Sequence, residues 1–92
     1  MDLLQRYQAI RRHSVAICAP LAVEDYVPQP TGDVSPPKWH LGHTAWFFEA
    51  VVLAANAPGY REFHPRFGYI FNSYYESQGQ RVLRHRRGDL SR

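Results

Sequence analysis

The chain has 92 residues, which is enough for one small hydrophobic core but too few for two independent cores. Hydrophobic residues make up 45% of the sequence and charged residues 21%, which excludes a wholly disordered chain. The single cysteine, Cys18, excludes an intrachain disulfide and is typical of the reducing cytoplasm. Because no apolar stretch is long enough for a membrane span, we predict a cytoplasmic protein with no membrane partner.

The net charge of +3 is unevenly distributed along the chain. Residues 81–92 contain five arginines and one carboxylate, so they carry a local charge of +4, whereas the other residues together carry −1. A basic tail of this kind is most often solvated or in contact with an anion. Nucleic-acid binding would rest on this tail alone, without a recognition motif, so nucleic acid is not among the predicted partners.

The first predicted element is an amphipathic helix over about residues 2–18. Asp2 is a good N-cap, and Pro20 cannot continue a helix. A stripe recurs between them at steps of three and four residues, formed by Leu3, Tyr7, Ile10, Ser14 and Ile17. Residues 19–35 are predicted to form a loop, with a short helical turn over 21–26.

A second helix is predicted over about residues 36–56. Ser35 and Pro36 are typical of a helix start, because a hydroxyl can cap free N–H groups and proline suits the first helical position. Only Gly42 interrupts the good helix formers. One broad face carries Trp39, His43, Trp46, Phe47, Ala50 and Leu53.

The remaining chain is predicted to be an aromatic loop with a short helix over residues 57–80, followed by the basic tail 81–92. Within it, the short helix is expected at about 69–78, and residues 90–92 resemble the approach to a further helix. The predicted fold is all-α: two long antiparallel helices, half of a four-helix bundle, plus an aromatic, mostly irregular segment. Two helices bury little apolar surface, so we predict a homo-oligomer, most simply a twofold dimer.

Several side chains could carry chemistry, and each also has a purely structural interpretation. His40 and His43 lie three residues apart on one helix and could begin a metal site, or could simply pack within a bundle. Glu49 could orient a ligand, although a solvated carboxylate is the commoner case. Cys18 is most often a small buried hydrophobic residue.

The aromatic cluster near the end of the chain is more typical of core or interface packing than of a substrate cage. Its members are Phe67, Tyr69, Phe71, Tyr74 and Tyr75. Asn72 and Ser73 lie among these rings and must find hydrogen-bond partners if they are buried. Arginines can bind carboxylates in bidentate fashion, although for any single arginine solvent exposure is the commoner outcome.

Residues 35–49, SPPKWHLGHTAWFFE, resemble the N-terminal DinB-like domain of the ergothioneine-biosynthesis sulfoxide synthases. The resemblance continues through residues 58–60 (PGY), 71–76 (FNSYYE) and 87–92 (RGDLSR), and therefore covers nearly the whole chain in order. Enzymes of that family use non-haem iron(II) and oxygen to join a cysteine-type thiol to trimethylhistidine. The resemblance implies a DinB-like four-helix bundle and these two substrates as partners.

The resemblance also implies roles for individual residues. His43 takes the position of one iron ligand, whereas the other two family ligands belong to an H-x-x-x-H pair on a helix beyond Arg92. Arg84 and Arg87 are the best matches to the arginines that contact the carboxylate of the thiol substrate. His40 becomes a neighbour of the metal site rather than a ligand. No catalytic residue is assigned in this chain.

By the same resemblance, Fe(II) is the cofactor of the complete family enzyme. The chain by itself is expected to be inactive and to hold no metal, or only adventitious zinc or nickel. The alternative function from another class is a small non-catalytic helical module that homo-oligomerises through its aromatic face.

Overall fold

The computed structural model describes residues 2–73 and 78–89, and its regular elements within these ranges are helical, with no strand. The α-helices are α1 (Leu3–Cys18), α2 (Pro37–Phe47), α3 (Ala54–Asn56) and α4 (Phe67–Phe71). A π-helical stretch, Phe48–Leu53, joins α2 to α3, and 3-10 turns form at Val23–Tyr26 and Arg84–Asp89. The all-α prediction is confirmed. The predictions for Tyr74, Tyr75 and residues 90–92 lie outside the described residues.

Helix α1 begins at a reciprocal cap. The Asp2 carboxylate accepts a hydrogen bond from the Gln5 backbone N–H at 2.8 Å, and the Gln5 side chain accepts one from the Asp2 N–H at 3.0 Å. This capping box satisfies two N–H groups that the helix itself cannot use. The Tyr26 hydroxyl donates to the Cys18 carbonyl at 3.0 Å, so the short 3-10 turn closes the other end of the helix.

Helices α1 and α2 run antiparallel, because earlier residues of α1 meet later residues of the second helix. The Tyr7 ring packs edge-on against Phe48, with ring centroids 4.9 Å apart, and Arg11 donates to the Thr44 hydroxyl. The predicted apolar stripe makes these contacts only in part, because Tyr7 belongs to it and Arg11 does not. Cys18 is the one buried residue of α1, whereas Leu3, Ile10 and Ile17 are 79%, 65% and 63% exposed.

The start of α2 differs from the prediction by one residue. Pro37 is the first helical residue and Pro36 is the N-cap, without a side-chain capping hydrogen bond. Proline at the first helical position removes one of the N–H groups that a cap would serve. Ser35 is buried, and its hydroxyl instead accepts a hydrogen bond from Arg87.

The core lies where α4 crosses α2. Trp39, Trp46 and Phe71 are buried together, and four half-buried residues pack against them: Phe47, Ala50, Phe67 and Ile70. Gly42 allows this crossing, because a Cβ at that position would overlap the Phe71 ring. Five of the six residues predicted on the α2 face lie in or beside this core.

Leu53 is the exception, and the π-helical stretch explains it. In this stretch the Ala54 N–H bonds to the Glu49 carbonyl, five residues back rather than four. The extra residue in the turn shifts the phase of the helix, and Val51, Val52 and Leu53 are 39%, 40% and 40% exposed. Within the described residues, no helix combines the length and apolarity needed to cross a bilayer.

The segment after α3 folds back over the core. Helix α4 spans Phe67–Phe71, earlier and shorter than the helix predicted at 69–78. The backbone then turns extended at Asn72, which is fully buried. The Val82 N–H donates to the Tyr69 carbonyl at 3.1 Å, which ties the beginning of the basic tail to α4.

Candidate functional site

The indole of Trp39 lies at the centre of the candidate site. The His43 imidazole stacks on it with ring centroids 4.6 Å apart and an interplanar angle of 6°. The Arg87 guanidinium lies over the same indole, 3.6 Å from a ring centroid, and the His40 ring meets it edge-on at 5.4 Å. The structure therefore brings His40, His43 and Arg87 together around one buried tryptophan.

His43 is held in a single orientation by two kinds of contact. Its Nδ1 lies 2.8 Å from the Phe71 carbonyl oxygen, and the indole of Trp39 covers one face of the ring. Because a carbonyl oxygen can only accept, Nδ1 must carry the proton in this contact, which leaves the lone pair on Nε2 in the neutral ring. A backbone carbonyl that fixes the tautomer in this way is typical of metal-binding histidines.

His40 has a different environment on the outer side of the same helix. Partial desolvation of its ring lowers its pKa, and the nearby positive charges of Arg87 and His43 lower it further. Its side chain nevertheless stays exposed. His40 therefore lies beside the histidine that the resemblance assigns as a ligand, and its imidazole is biased towards the neutral form.

Arg87 is deeply buried, with only 3% of its surface exposed. Its guanidinium donates a hydrogen bond to the Ser35 hydroxyl at 2.8 Å and lies over Trp39. The interpretation of the tail as a solvated end is therefore wrong for this residue. A guanidinium is weakly hydrated and planar, so it can be buried against an aromatic face where an ammonium group could not.

Arg84 is held differently, through its backbone. Gln29 donates from its side-chain amide to the Arg84 carbonyl at 2.6 Å and accepts from the Gly88 N–H at 2.7 Å. This amide clamps both ends of the turn that carries Arg87, whereas the Arg84 side chain is exposed. The two arginines predicted to bind a substrate carboxylate thus occupy unlike positions, and that role stays a prediction for both.

A separate open cleft of about 950 Å³ lies further along the second helix, with Trp46, Ala50 and Tyr69 in its walls. Glu49 lines it and accepts hydrogen bonds from the Tyr60 hydroxyl at 2.7 Å and the Phe63 N–H at 3.2 Å. The hydrogen bond to this carboxylate raises the pKa of Tyr60. Glu49 therefore anchors the loop that follows α3.

The described residues do not form a complete metal site. No group of three histidine, cysteine or acidic side chains in residues 2–73 and 78–89 is arranged to hold a metal ion. His64 lies in the cleft, where its Nδ1 accepts from the Arg66 N–H and its ring stacks on Phe67. Cys18 is buried at the end of α1, as a small hydrophobic residue would be.

Sequence reasoning missed three residues that build the site. The sequence pattern predicted Trp39 as one of several core residues and Ser35 as a helix cap. No pattern indicated a role for Gln29. Ser35 and Arg87 are 52 residues apart in the sequence, so no local pattern can predict that they form a hydrogen bond. The only available signal was the unusual concentration of arginines in residues 81–92, which suggested an anion contact rather than an indole.

Comparison with known proteins agrees with this all-helical arrangement. No curated protein matches the sequence. The family model of the DinB superfamily matches residues 6–89, which include most of α1, all of α2, Trp39 and the turn that carries Arg87. The chain therefore belongs to the DinB superfamily.

Proposed function

We propose that this DinB-superfamily chain is part of an iron(II)-dependent sulfoxide synthase of the ergothioneine-biosynthesis type, to which it contributes a single metal-binding imidazole, His43. The observation that carries the proposal is the 2.8 Å contact between His43 Nδ1 and the Phe71 carbonyl oxygen. It leaves Nε2 as the free ligand atom of a ring whose orientation is already fixed. The resemblance of residues 35–49 to the family's sequence supports the same assignment of His43 as a metal ligand.

The chain's own share in such an enzyme is limited to positioning. His43 offers one neutral donor, and the described residues supply no set of three donors. The family site needs two further histidines, so the chain alone should retain iron(II) poorly. When bound, iron would supply the oxygen chemistry that joins the cysteine-type thiol to trimethylhistidine.

Arg84 and Arg87 are proposed to hold the carboxylate of the thiol substrate. The two side chains differ in availability, because Arg84 is exposed and Arg87 is buried against Trp39. Within the proposal, Arg84 is the residue that a substrate could reach without rearrangement. Arg87 would first have to leave the indole or the Ser35 hydroxyl.

Ring nitrogen NMR of the purified chain tests the assignment of His43 directly. The tautomer with the proton on Nδ1 is expected for the neutral His43 ring, and nickel(II) should perturb Nε2 of His43 before other ring nitrogens. The perturbation should disappear in His43→Ala and persist in His40→Ala. A proton on Nε2, or equal nickel(II) binding by His43→Ala, would contradict the ligand assignment.

Anaerobic iron loading tests the statement that the chain contributes only part of a site. After desalting, elemental analysis should find little iron, and added thiol and trimethylhistidine should cause no oxygen uptake. Near-stoichiometric iron together with substrate-dependent oxygen uptake would show that the chain builds a complete site.

A further inference from the structure

The open cleft beside Trp46 has walls that are both aromatic and charged. Its volume of about 950 Å³ is in the range of small-molecule binding sites. Three rings and two carboxylates line it, from Trp46, Tyr60, Tyr69, Glu49 and Glu62. A surface that packs against a further helix is mainly apolar, so this lining favours a ligand with a polar group and a flat apolar body.

The Glu49 carboxylate is held in one position, and only one of its oxygens is used. The Tyr60 hydroxyl and the Phe63 N–H both donate to the same atom, Oε2. Within the described residues, Oε1 accepts no hydrogen bond and no cationic side chain pairs with this carboxylate. An ionised carboxylate can accept at both oxygens, so Oε1 is a fixed acceptor in the wall of the cleft.

The charge of the cleft is opposite in sign to that of the chain. Among the described residues that line it, the carboxylates of Glu49 and Glu62 face one guanidinium, that of Arg66, which gives −1, whereas the whole chain carries +3. Arg66 pairs with neither carboxylate, and its guanidinium lies over the Tyr69 ring, 6.0 Å from the centroid. The cleft therefore combines an excess negative charge with ring faces, which together favour a cation.

From the free acceptor, the charge and the rings, we propose that the cleft binds an organic cation of the arylalkylamine class, a primary ammonium group carried on an aromatic ring. The ammonium group donates a hydrogen bond to Glu49 Oε1, and the ring of the ligand lies against Trp46 and Tyr69. This site goes beyond the proposed iron enzyme and does not rest on it. Neither His43 nor Arg84 is among the described residues that line the cleft.

Other occupants satisfy the cleft less well. A metal ion needs several ligands, and no three histidine, cysteine or acidic side chains of residues 2–73 and 78–89 are arranged to hold one. An apolar helix would cover the Glu49 carboxylate without offering it a donor, and a buried charge without a partner is costly. A quaternary ammonium ion balances the charge but has no N–H group for Oε1. A primary amine on a flat ring meets all three requirements.

Titration of the purified chain with phenethylamine, followed by NMR of the indole N–H groups, tests the proposal. The chain has two tryptophans, of which Trp46 lines the cleft and Trp39 does not. The Trp46 signal should therefore shift to saturation, whereas the Trp39 signal should stay in place. Phenethyl alcohol removes the charge, and N,N,N-trimethylphenethylammonium keeps the charge but lacks the N–H donor. Each should bind at least about tenfold more weakly than phenethylamine.

Three matched variants separate the role of Glu49 from that of charge in general. Glu49→Gln should raise the dissociation constant of phenethylamine about tenfold or more, because it removes the charge and keeps the shape of the side chain. Glu24→Gln removes the same charge from an exposed position of the 3-10 turn, outside the cleft, and should leave the constant unchanged. Glu62→Gln, on the exposed loop, should give a smaller rise. Circular dichroism checks that each variant is folded.

Several results would overturn the proposal. These are no saturable shift of the Trp46 signal, equal affinities for phenethylamine and either control compound, and equal dissociation constants for folded Glu49→Gln and Glu24→Gln. If Glu49→Gln does not fold, Glu62→Gln decides, because it leaves the hydrogen bonds to Glu49 in place. A dissociation constant for Glu62→Gln equal to that of Glu24→Gln would then count against the cleft as a cation site.

Discussion

Around Trp39, segments that are far apart in the sequence meet and bury Trp39, Phe71 and Arg87, whereas α1 buries only Cys18 among its sixteen residues. The indole contacts His43 on its own helix and Arg87 from the tail, and the Phe71 carbonyl fixes His43 from α4. By contrast, α1 is attached to the second helix mainly through Tyr7 and Arg11. Stability is therefore expected to be concentrated around Trp39, whereas α1 contributes few buried contacts.

The largest expected effect comes from a substitution that disrupts the core between α2 and α4. Gly42→Ala should lower the free energy of unfolding by about 3 kcal/mol, because a methyl group there overlaps the buried Phe71 ring and forces α4 away from α2. Urea denaturation measures the change. Gly68→Ala is the matched control, since its nearest non-local atom, Trp46 Nε1, is 3.6 Å from the added carbon. Equal stability of the two variants would show that α4 is not seated on Gly42.

The next largest effect is expected from removal of the Arg87 guanidinium, which lies over Trp39. Arg87→Leu should lower the free energy of unfolding by about 2 kcal/mol, because it removes the contact with Trp39 and the hydrogen bond to Ser35. The neighbouring Arg86 pairs with Asp89 at an exposed position, so Arg86→Leu should cost much less. If the two variants lost the same free energy of unfolding, Arg87 would have to be solvated as Arg86 is.

A smaller change in stability is expected from a substitution in the N-terminal cap of α1. Asp2→Ala should lower the free energy of unfolding by about 1 kcal/mol, because it removes the acceptor of the capping box. Helical circular dichroism should decrease along with it. Asp33→Ala in the exposed loop is the control and should leave both quantities nearly unchanged. No change for Asp2→Ala would mean that α1 is held by its neighbours rather than by its cap.

The smallest expected effect is a pH dependence of the free energy of unfolding that arises from His40, beside Trp39. Because the folded chain lowers the pKa of His40, it binds fewer protons than the unfolded chain near and below the ordinary histidine pKa of about 6.5. The contribution of His40 to stability is therefore complete above this pH and is lost as the pH falls through it. Denaturation curves for His40→Gln should depend less steeply on pH in this window than those of wild type. His13→Gln, at an exposed position of α1, is the comparison variant.

The sequence alone determined the elements whose causes are local. The Asp2 cap, the stop at Pro20 and the aromatic periodicity of the second helix all act within a few residues, so they predicted α1 and the main core face correctly. The start of α2 was predicted to within one residue, because two adjacent prolines both suit a helix start. Motif order along the chain also indicated the superfamily that the comparison confirmed.

Only the tertiary structure decided which faces are buried and which partners meet. The stripe predicted on α1 is only partly packed: Tyr7 contacts Phe48, whereas Leu3, Ile10 and Ile17 are exposed. Arg11 and Cys18, which are outside the stripe, lie on the packed side of the helix. The π-helical stretch shifted Leu53 out of the predicted face. Arg87 entered the core because Trp39, Ser35 and Gln29 come together there only after the chain has folded. Local patterns set propensities, whereas burial depends on contacts between residues distant in sequence, which no local pattern contains.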